Sequence, residues 1–406
     1  GAVRLLLTVR YGGEKDLTGK TIAADVLPSL LLRGTKKHSF QELKDEFDKL
    51  KAEVKFGAGG LSAPSPGVSH VRIKTVRESL PAVLNLIAEV LREPAFPKNE
   101  FETLKKEALA QAEEQLQDPM ANAFTALLRN IYPADKKDVR YIPTPQEEIE
   151  LLKRLQVSEV AKLHKGLWGL SAAQLSIVGD FDEKAVQAQL AEKLDAFKSP
   201  KPYARIALPY KEGVATPAQI DTPGKEMAMV AVGHPIEARD DDPDYPALVL
   251  INHILGGSAS SRLLNRLRQK DGLSYGSFSS MNARALDKSG HFFAGAICAP
   301  QNADKAMSAM IEEIDLFLKS GVTAAELADA KKSYAATFQT KLAEDDFVTT
   351  ELTQQLFLGR TFAHWKKIND KIATLTPAEI AAVAKKFIQP SRMTHVKAGD
   401  LTKKSS

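Results

Sequence analysis

The chain of 406 residues holds a single cysteine, Cys298, so it forms no internal disulfide and no cysteine-based metal knuckle. Aromatic residues make up only 7%, and no apolar run reaches the roughly 20 residues that span a bilayer. Neither sign of charge dominates. The 55 Lys and Arg are scattered among 51 acids for a net charge of +4, without the basic stripe of a nucleic-acid binder or a polybasic membrane patch. The eight histidines (38, 70, 164, 234, 253, 291, 364 and 395) include no pair at helical ligand spacing with a glutamate nearby. The Gly256-Gly257 step lacks the Gly-Lys-Ser/Thr of a phosphate loop, and Ser258 to Ser261 lack a His/Asp companion for serine-hydrolase chemistry. Asp240-Asp241-Asp242 before Pro243 reads as a solvated turn, since no acidic partner follows at calcium-loop spacing.

What remains is ordinary globular material, 44% apolar and 26% charged, with length enough for more than one core. It is also internally repeated. Leu155-Gln-Val-Ser-Glu159 through Gly179-Asp180 matches Leu375-Thr-Pro-Ala-Glu379 through Gly399-Asp400 at an offset of 220 residues without a gap. A second echo pairs Glu100-Phe-Glu-Thr-Leu-Lys105 with Glu326-Leu-Ala-Asp-Ala-Lys331. A repeat of this length means duplicated domains rather than a solenoid. We expect domains at 1–197 and 226–406 joined by an extended linker at 198–225, which carries Pro200, Pro202, Pro209, Pro217 and Pro223.

Each half mixes helices and strands. Ser39-x-x-Glu42 is a capping box, Asp182 and Thr323 cap further helices, and Thr376-Pro377 opens another with proline in its first turn. The stripe Met307, Met310, Ile314 and Phe317 stops at Gly321. Alternation predicts strands at 3–11, 69–76, 174–179, 227–232 and 289–298, the last ending in a buried, inert Cys298. The class is α+β, with helices packed against a largely antiparallel sheet in each half.

Two stretches carry chemistry. Residues 24–35 read Ala-Asp25-Val-Leu-Pro28-Ser29-Leu-Leu-Leu-Arg33-Gly34-Thr35. This frame resembles the metal site of the pitrilysin/insulinase peptidases, the inverted zincins, whose His-x-x-Glu-His precedes an apolar triplet, a basic residue and Gly-Thr. Asp25, Pro28 and Ser29 stand at the positions of first histidine, glutamate and second histidine. Pro28 should also interrupt the helix that carries them. The family's distal glutamate, placed by Asp118-Pro119, falls on Gln111. Glu107, Glu113 and Glu114 share that helix, but one carboxylate cannot hold zinc alone. The resemblance therefore implies a chain with no metal of its own.

The second stretch is Asn252-His-Ile-Leu255-Gly256-Gly257-Ser258, then Ser261-Arg262-Leu263, then Arg268 and Gly272-Leu273-Ser-Tyr275-Gly276. It resembles the same family's C-terminal signature, in which an arginine and a tyrosine seven residues apart bind the substrate backbone near the scissile bond. Arg268 and Tyr275 match that pair; Arg262 reads as structural, and Arg266 fits no family position. A guanidinium and a phenol are fixed donors suited to an oxyanion. The plain alternative makes Arg268 a surface arginine and Tyr275 a core aromatic of the next strand.

The resemblance implies a non-catalytic, substrate-binding subunit forming half of a clamshell, inactive alone, whose homologous partner supplies zinc and the general base of a heterodimeric metalloendopeptidase. Two alternatives stay open: a structural or assembly protein on a degenerate peptidase scaffold, and a self-sufficient peptidase with unorthodox ligands. The sequence opens directly in an alternating segment, which reads as a chain lacking its native N-terminus. The expected compartment is the periplasm, with cytoplasm and mitochondrial matrix as alternatives.

Overall fold

The computed structural model describes residues 1–59 and 65–402. The first half runs β1 (Ala2–Arg10), α1 (Glu14–Leu17), α2 (Thr21–Leu31), α3 (Phe40–Lys49), β2 (Glu53–Ala58) and β3 (Val68–Val76). It continues with α4 (Leu80–Arg92), α5 (Lys98–Leu116), α6 (Pro119–Ile131), α7 (Pro145–Arg154), α8 (Val157–Leu167), β4 (Ala173–Gly179) and α9 (Glu183–Leu194). The second half runs β5 (Ala218–Asp221), β6 (Ala228–Ile236), α10 (Tyr245–Leu255), α11 (Arg262–Leu264), a π-helical turn (Asn265–Lys270), β7 (Ser274–Ala283) and β8 (Gly290–Cys298). Its last helices are α12 (Ala303–Ser320), α13 (Ala324–Leu342), α14 (Asp345–Phe357), α15 (Ala363–Thr374) and α16 (Pro377–Phe387), followed by β9 (Thr394–Gly399).

The fold is α+β on two sheets, ordered β2-β3-β1-β4 and β5-β9-β6-β8-β7. Every pairing is antiparallel except β5 with β9. β5 lies inside the stretch expected as linker; residues 198–217 carry neither helix nor strand. The caps follow the sequence. Ser39 and Thr376 form capping boxes with Glu42 and Glu379, Asp182 and Thr323 accept from Ala185 and Glu326, and α12 ends on Gly321 at φ 65°. Each such cap contributes about 1 kcal/mol.

In β1, Val3, Leu5, Leu7 and Val9 point into the first core beside Leu27, Leu31, Val83 and Ile87. Leu6 and Thr8, on the opposite face, are buried as well, because α14 of the second half lies across β1 and β4. The exchange is reciprocal. α6 of the first half lies on β6 and β9, where Ala123, Leu127 and Ile131 meet Met229, Ala231, Val396 and Ala398. With both faces covered, all nine residues of β6 are buried and its sequence loses the polar alternation of a half-exposed strand. Among the described residues, no helix is long and apolar enough to cross a membrane.

Two expectations need correction. Pro28 does not interrupt its helix: α2 continues through it to Leu31. Proline removes the N–H that would bond the carbonyl of Ala24, four residues back. The buried Tyr11 hydroxyl donates to that carbonyl instead, at 3.3 Å, so no acceptor is orphaned. Asp240 is not a solvated turn residue. It is 9% exposed and bound by both Nη1 and Nη2 of Arg360, at 3.0 and 2.7 Å. Cys298 is buried as expected, and burial pushes its thiol up to about 12, away from any nucleophilic role.

Candidate functional site

The positions that the resemblance aligns with a metal site lie on α2 and α5. Asp25 and Ser29, four residues apart, share one face of α2, while Pro28 turns into the core. Asp25 keeps contact with solvent, Ser29 is half-buried, and Gln111 is exposed near the end of α5. None of Asp25, Ser29 and Gln111 bonds another of the three. Surrounding protein, and secondarily the Glu148 carboxylate, push the Asp25 carboxyl upward, and burial does the same to Glu148. A catalytic zinc ion needs three nitrogen, oxygen or sulfur donors of sufficient basicity. One carboxylate, one hydroxyl, one amide and a proline do not make that set. Among the described residues no three His, Cys, Asp or Glu side chains gather into a metal cluster.

The residues around these positions are engaged in internal bonds. Arg33 pairs with Glu107 at 2.5 Å and Glu100 at 3.6 Å and lies over the ring of Phe40. Thr35 and His38 both bond the carboxylate of Glu89. Glu107 is thus committed to Arg33 rather than to a metal.

The second constellation is built to present two free donors. Asn252 lies in the last turn of α10 beside β7, where its Oδ1 accepts from Ser279 at 2.8 Å. Gly256 packs so closely on β7 that a Cβ there would come within 2.2 Å of the Ser279 nitrogen. The glycine step is therefore a close-approach requirement, which fixes helix and strand in register. Arg262 is structural: its fork meets Glu326 at 2.6 Å through Nε and Nη2, and Nη2 also donates to the carbonyl of Gly321. Arg266 binds Asp271 at 2.5 Å and Glu312 at 3.0 Å, pinning the π-helical turn from both sides.

Within that turn Arg268 is exposed and has no hydrogen bond or ion pair among the described residues. Tyr275 is the unpaired residue of a β-bulge: Ser274 faces Cys298 and Gly276 faces Ile297, leaving Tyr275 between them. Its ring is 59% exposed and its hydroxyl likewise has no partner, so the core-aromatic alternative does not hold. π-turns and bulges are local irregularities that re-aim side chains, and both recur at functional sites. The resemblance to the family's C-terminal signature pointed to these two residues. It did not show the irregular backbone that leaves them free, nor the Tyr11 hydroxyl that makes Pro28 tolerable. A tyrosine closing the first strand and a proline four residues after Ala24 were the available signals for the latter.

Residues 154–334 match the family model of the peptidase M16 inactive domain. An uncharacterized zinc protease of Streptomyces coelicolor is 22% identical over 385 residues, covering 92% of this chain and 80% of that protein. A non-peptidase homolog of Helicobacter pylori, YmxG, is 22% identical over 65% of this chain and 59% of its own length. The crystal structure of a peptidase M16 inactive domain from Pseudomonas fluorescens superposes with a TM-score of 0.85 at 21% identity, covering 100% of this chain and 94% of that one. That likeness establishes the fold. The match over residues 154–334 makes that part of the chain similar to the inactive domain of the M16 peptidases, the pitrilysin/insulinase family that the sequence resembles.

Proposed function

We propose that this chain is the non-catalytic, substrate-binding subunit of a heterodimeric zinc metalloendopeptidase. Its two peptidase-like domains, 1–197 and 226–406, form half of a clamshell that a homologous, zinc-bearing partner closes, and the pair works in the periplasm. The partner supplies the metal and the general base. This chain supplies Arg268 and Tyr275, which grip the peptide backbone and donate to the carbonyl oxygen as negative charge develops on it. One observation carries the reading: in a segment where Arg262 and Arg266 are each locked by two or more partners, Arg268 and Tyr275 are exposed, with no side-chain partner among the described residues.

An arginine left on a π-turn without a counter-charge gains nothing for stability, and an exposed tyrosine on a bulge buries little apolar area. Both are explained by a ligand that arrives from outside. Co-purification from the native cell should yield a zinc-bearing homologue. In the reconstituted pair, Arg268→Ala and Tyr275→Phe should each lower kcat by about 10²–10³, the usual cost of one oxyanion donor. Both variants should melt at the wild-type temperature. Unchanged rates in both, or peptide hydrolysis by this chain alone, would overturn the reading.

A further inference from the structure

A cavity of about 640 Å³ opens between the two halves, bounded by the outer face of the first sheet, the C-terminal end of α14 and the loop after β7. Asp25, Arg268 and Tyr275 take no part in its lining. Its charge is one-sided. Arg10, Arg72 and Arg284 line it without an acidic partner among the described residues, whereas its two carboxylates are both committed. Asp240 is held by Arg360, and Asp287 accepts from Arg205 and from the backbone of Leu208.

Each of the three arginines has capacity to spare. Arg10 donates once, to Gln174, and lies flat on Phe357 with its guanidinium carbon 3.6 Å from the ring centroid. Stacking uses the face of a guanidinium and leaves its edge donors open. Burial without a counter-charge pulls Arg10 below its ordinary pKa. Arg72 reaches only the Thr350 hydroxyl, at 3.4 Å. Arg284 sits 5.8 Å from the Tyr132 ring, and its Nε is buried with no acceptor. A second orphan lines the same cavity: the amide oxygen of Gln355, a residue only 3% exposed, has no donor. Buried polar atoms are rarely left unpaired, and one unsatisfied group costs on the order of 1–3 kcal/mol.

We infer that this cavity binds a small oligoanion carrying phosphate or carboxylate groups, gripped by Arg10, Arg72 and Arg284. The volume falls in the range of small-molecule sites, and Tyr203, Phe357 and Trp365 offer apolar surface for an organic body. Converging guanidiniums suit tetrahedral phosphate and planar carboxylate alike, since both accept two parallel N–H donors. This ligand bridges the halves, so its binding also strengthens their association.

Titration calorimetry of the full chain with pyrophosphate and with citrate tests the site. Saturable one-to-one binding is expected with a dissociation constant of about 1 mM or tighter for at least one probe. Tighter binding of pyrophosphate assigns phosphate chemistry, and tighter binding of citrate assigns carboxylate chemistry. Arg10→Gln and Arg284→Gln should each weaken that binding about tenfold or more. Arg268→Ala should leave it intact, which keeps the outcome separate from that of the peptidase reading. Should Arg10→Gln fail to fold, Arg72→Gln, at an exposed side chain, carries the same expectation. Absence of saturable binding with both probes, or equal affinity in wild type and variants, overturns the inference.

Discussion

In the first half Lys105 reaches from α5 to the carbonyls of Lys153 and Leu155; in the second, Lys331 reaches from α13 to those of Ala373 and Leu375. Leu155 and Leu375 are the residues at which the sequence repeat begins, and each half then runs through a capping box to a strand ending in Gly-Asp. The halves differ where chemistry would sit. On α2 the first half keeps an open face bearing Asp25 and Ser29, while α10 of the second is almost wholly buried. Conversely, among the described residues the second half alone has a π-turn and a bulge whose side-chain donors are unclaimed. The two copies thus share a scaffold and present different side chains on it.

The comparison can be broken most forcefully with pH. Burial holds His234 and His291, both in the second sheet, down near 4. His234 is fixed in its neutral form, Nδ1–H donating to the carbonyl of Pro235 while Nε2 accepts from the Gln389 amide. A base whose folded pKa lies below its unfolded value near 6.5 binds protons more readily in the unfolded chain. Stability is therefore present above about 6.5 and falls as pH drops toward 4, by at most about 3 kcal/mol per histidine. Asp25 works with the opposite sign. Its carboxyl is pushed up, so folding is favoured as pH falls below its folded pKa and disfavoured as pH rises. Urea unfolding between pH 6.5 and 5 should show a steeper loss in wild type than in His291→Leu, and Asp25→Asn should raise stability at pH 7. A histidine variant with the wild-type slope would contradict the assignment.

A smaller effect sharpens the account of Pro28. Tyr11→Phe strands the Ala24 carbonyl and should cost about 1–2 kcal/mol. Pro28→Ala restores the missing N–H, so the same tyrosine substitution in that background should cost clearly less. Additive effects in this double-mutant cycle would show that the hydroxyl is not compensating for the proline. Smallest of all, Lys105→Met and Lys331→Met should each cost about 1 kcal/mol and agree within a few tenths. Unequal losses by chemical denaturation would mean that the repeated contact is no longer equivalent.

Local signals were legible in the sequence because they act within a few residues. The capping boxes at Ser39 and Thr376, the Gly321 stop and the alternating runs of β1, β3 and β8 needed no tertiary information. Of the four strands that alternation did not predict, β2, β5 and β7 lie at sheet edges, and β9 is interior. An edge strand has one neighbour and tolerates residues such as the serines of β7, of which Ser279 bonds Asn252 of α10 and Ser280 bonds His291 of β8. Asp240 was misread for the complementary reason, since Arg360 lies 120 residues further along the chain. At the candidate site, resemblance to a family signature singled out Arg268 and Tyr275, but their lack of partners among the described residues depends on where every neighbouring acid ends up.

The traded helices have a further consequence. α6 docks through apolar side chains, whereas α14 docks through hydroxyls: Ser176 donates to the carbonyl of Thr349 at 2.7 Å, and Ser176 and Thr353 bond each other at 2.5 Å. A fragment cut between the copies would leave one sheet without its lid and a stray amphipathic rod in solution. Neither copy is thus a portable module. Any chimaera that swaps one for a relative's must transplant the visiting helix with the sheet it covers, which ties the two copies into a single inheritable unit.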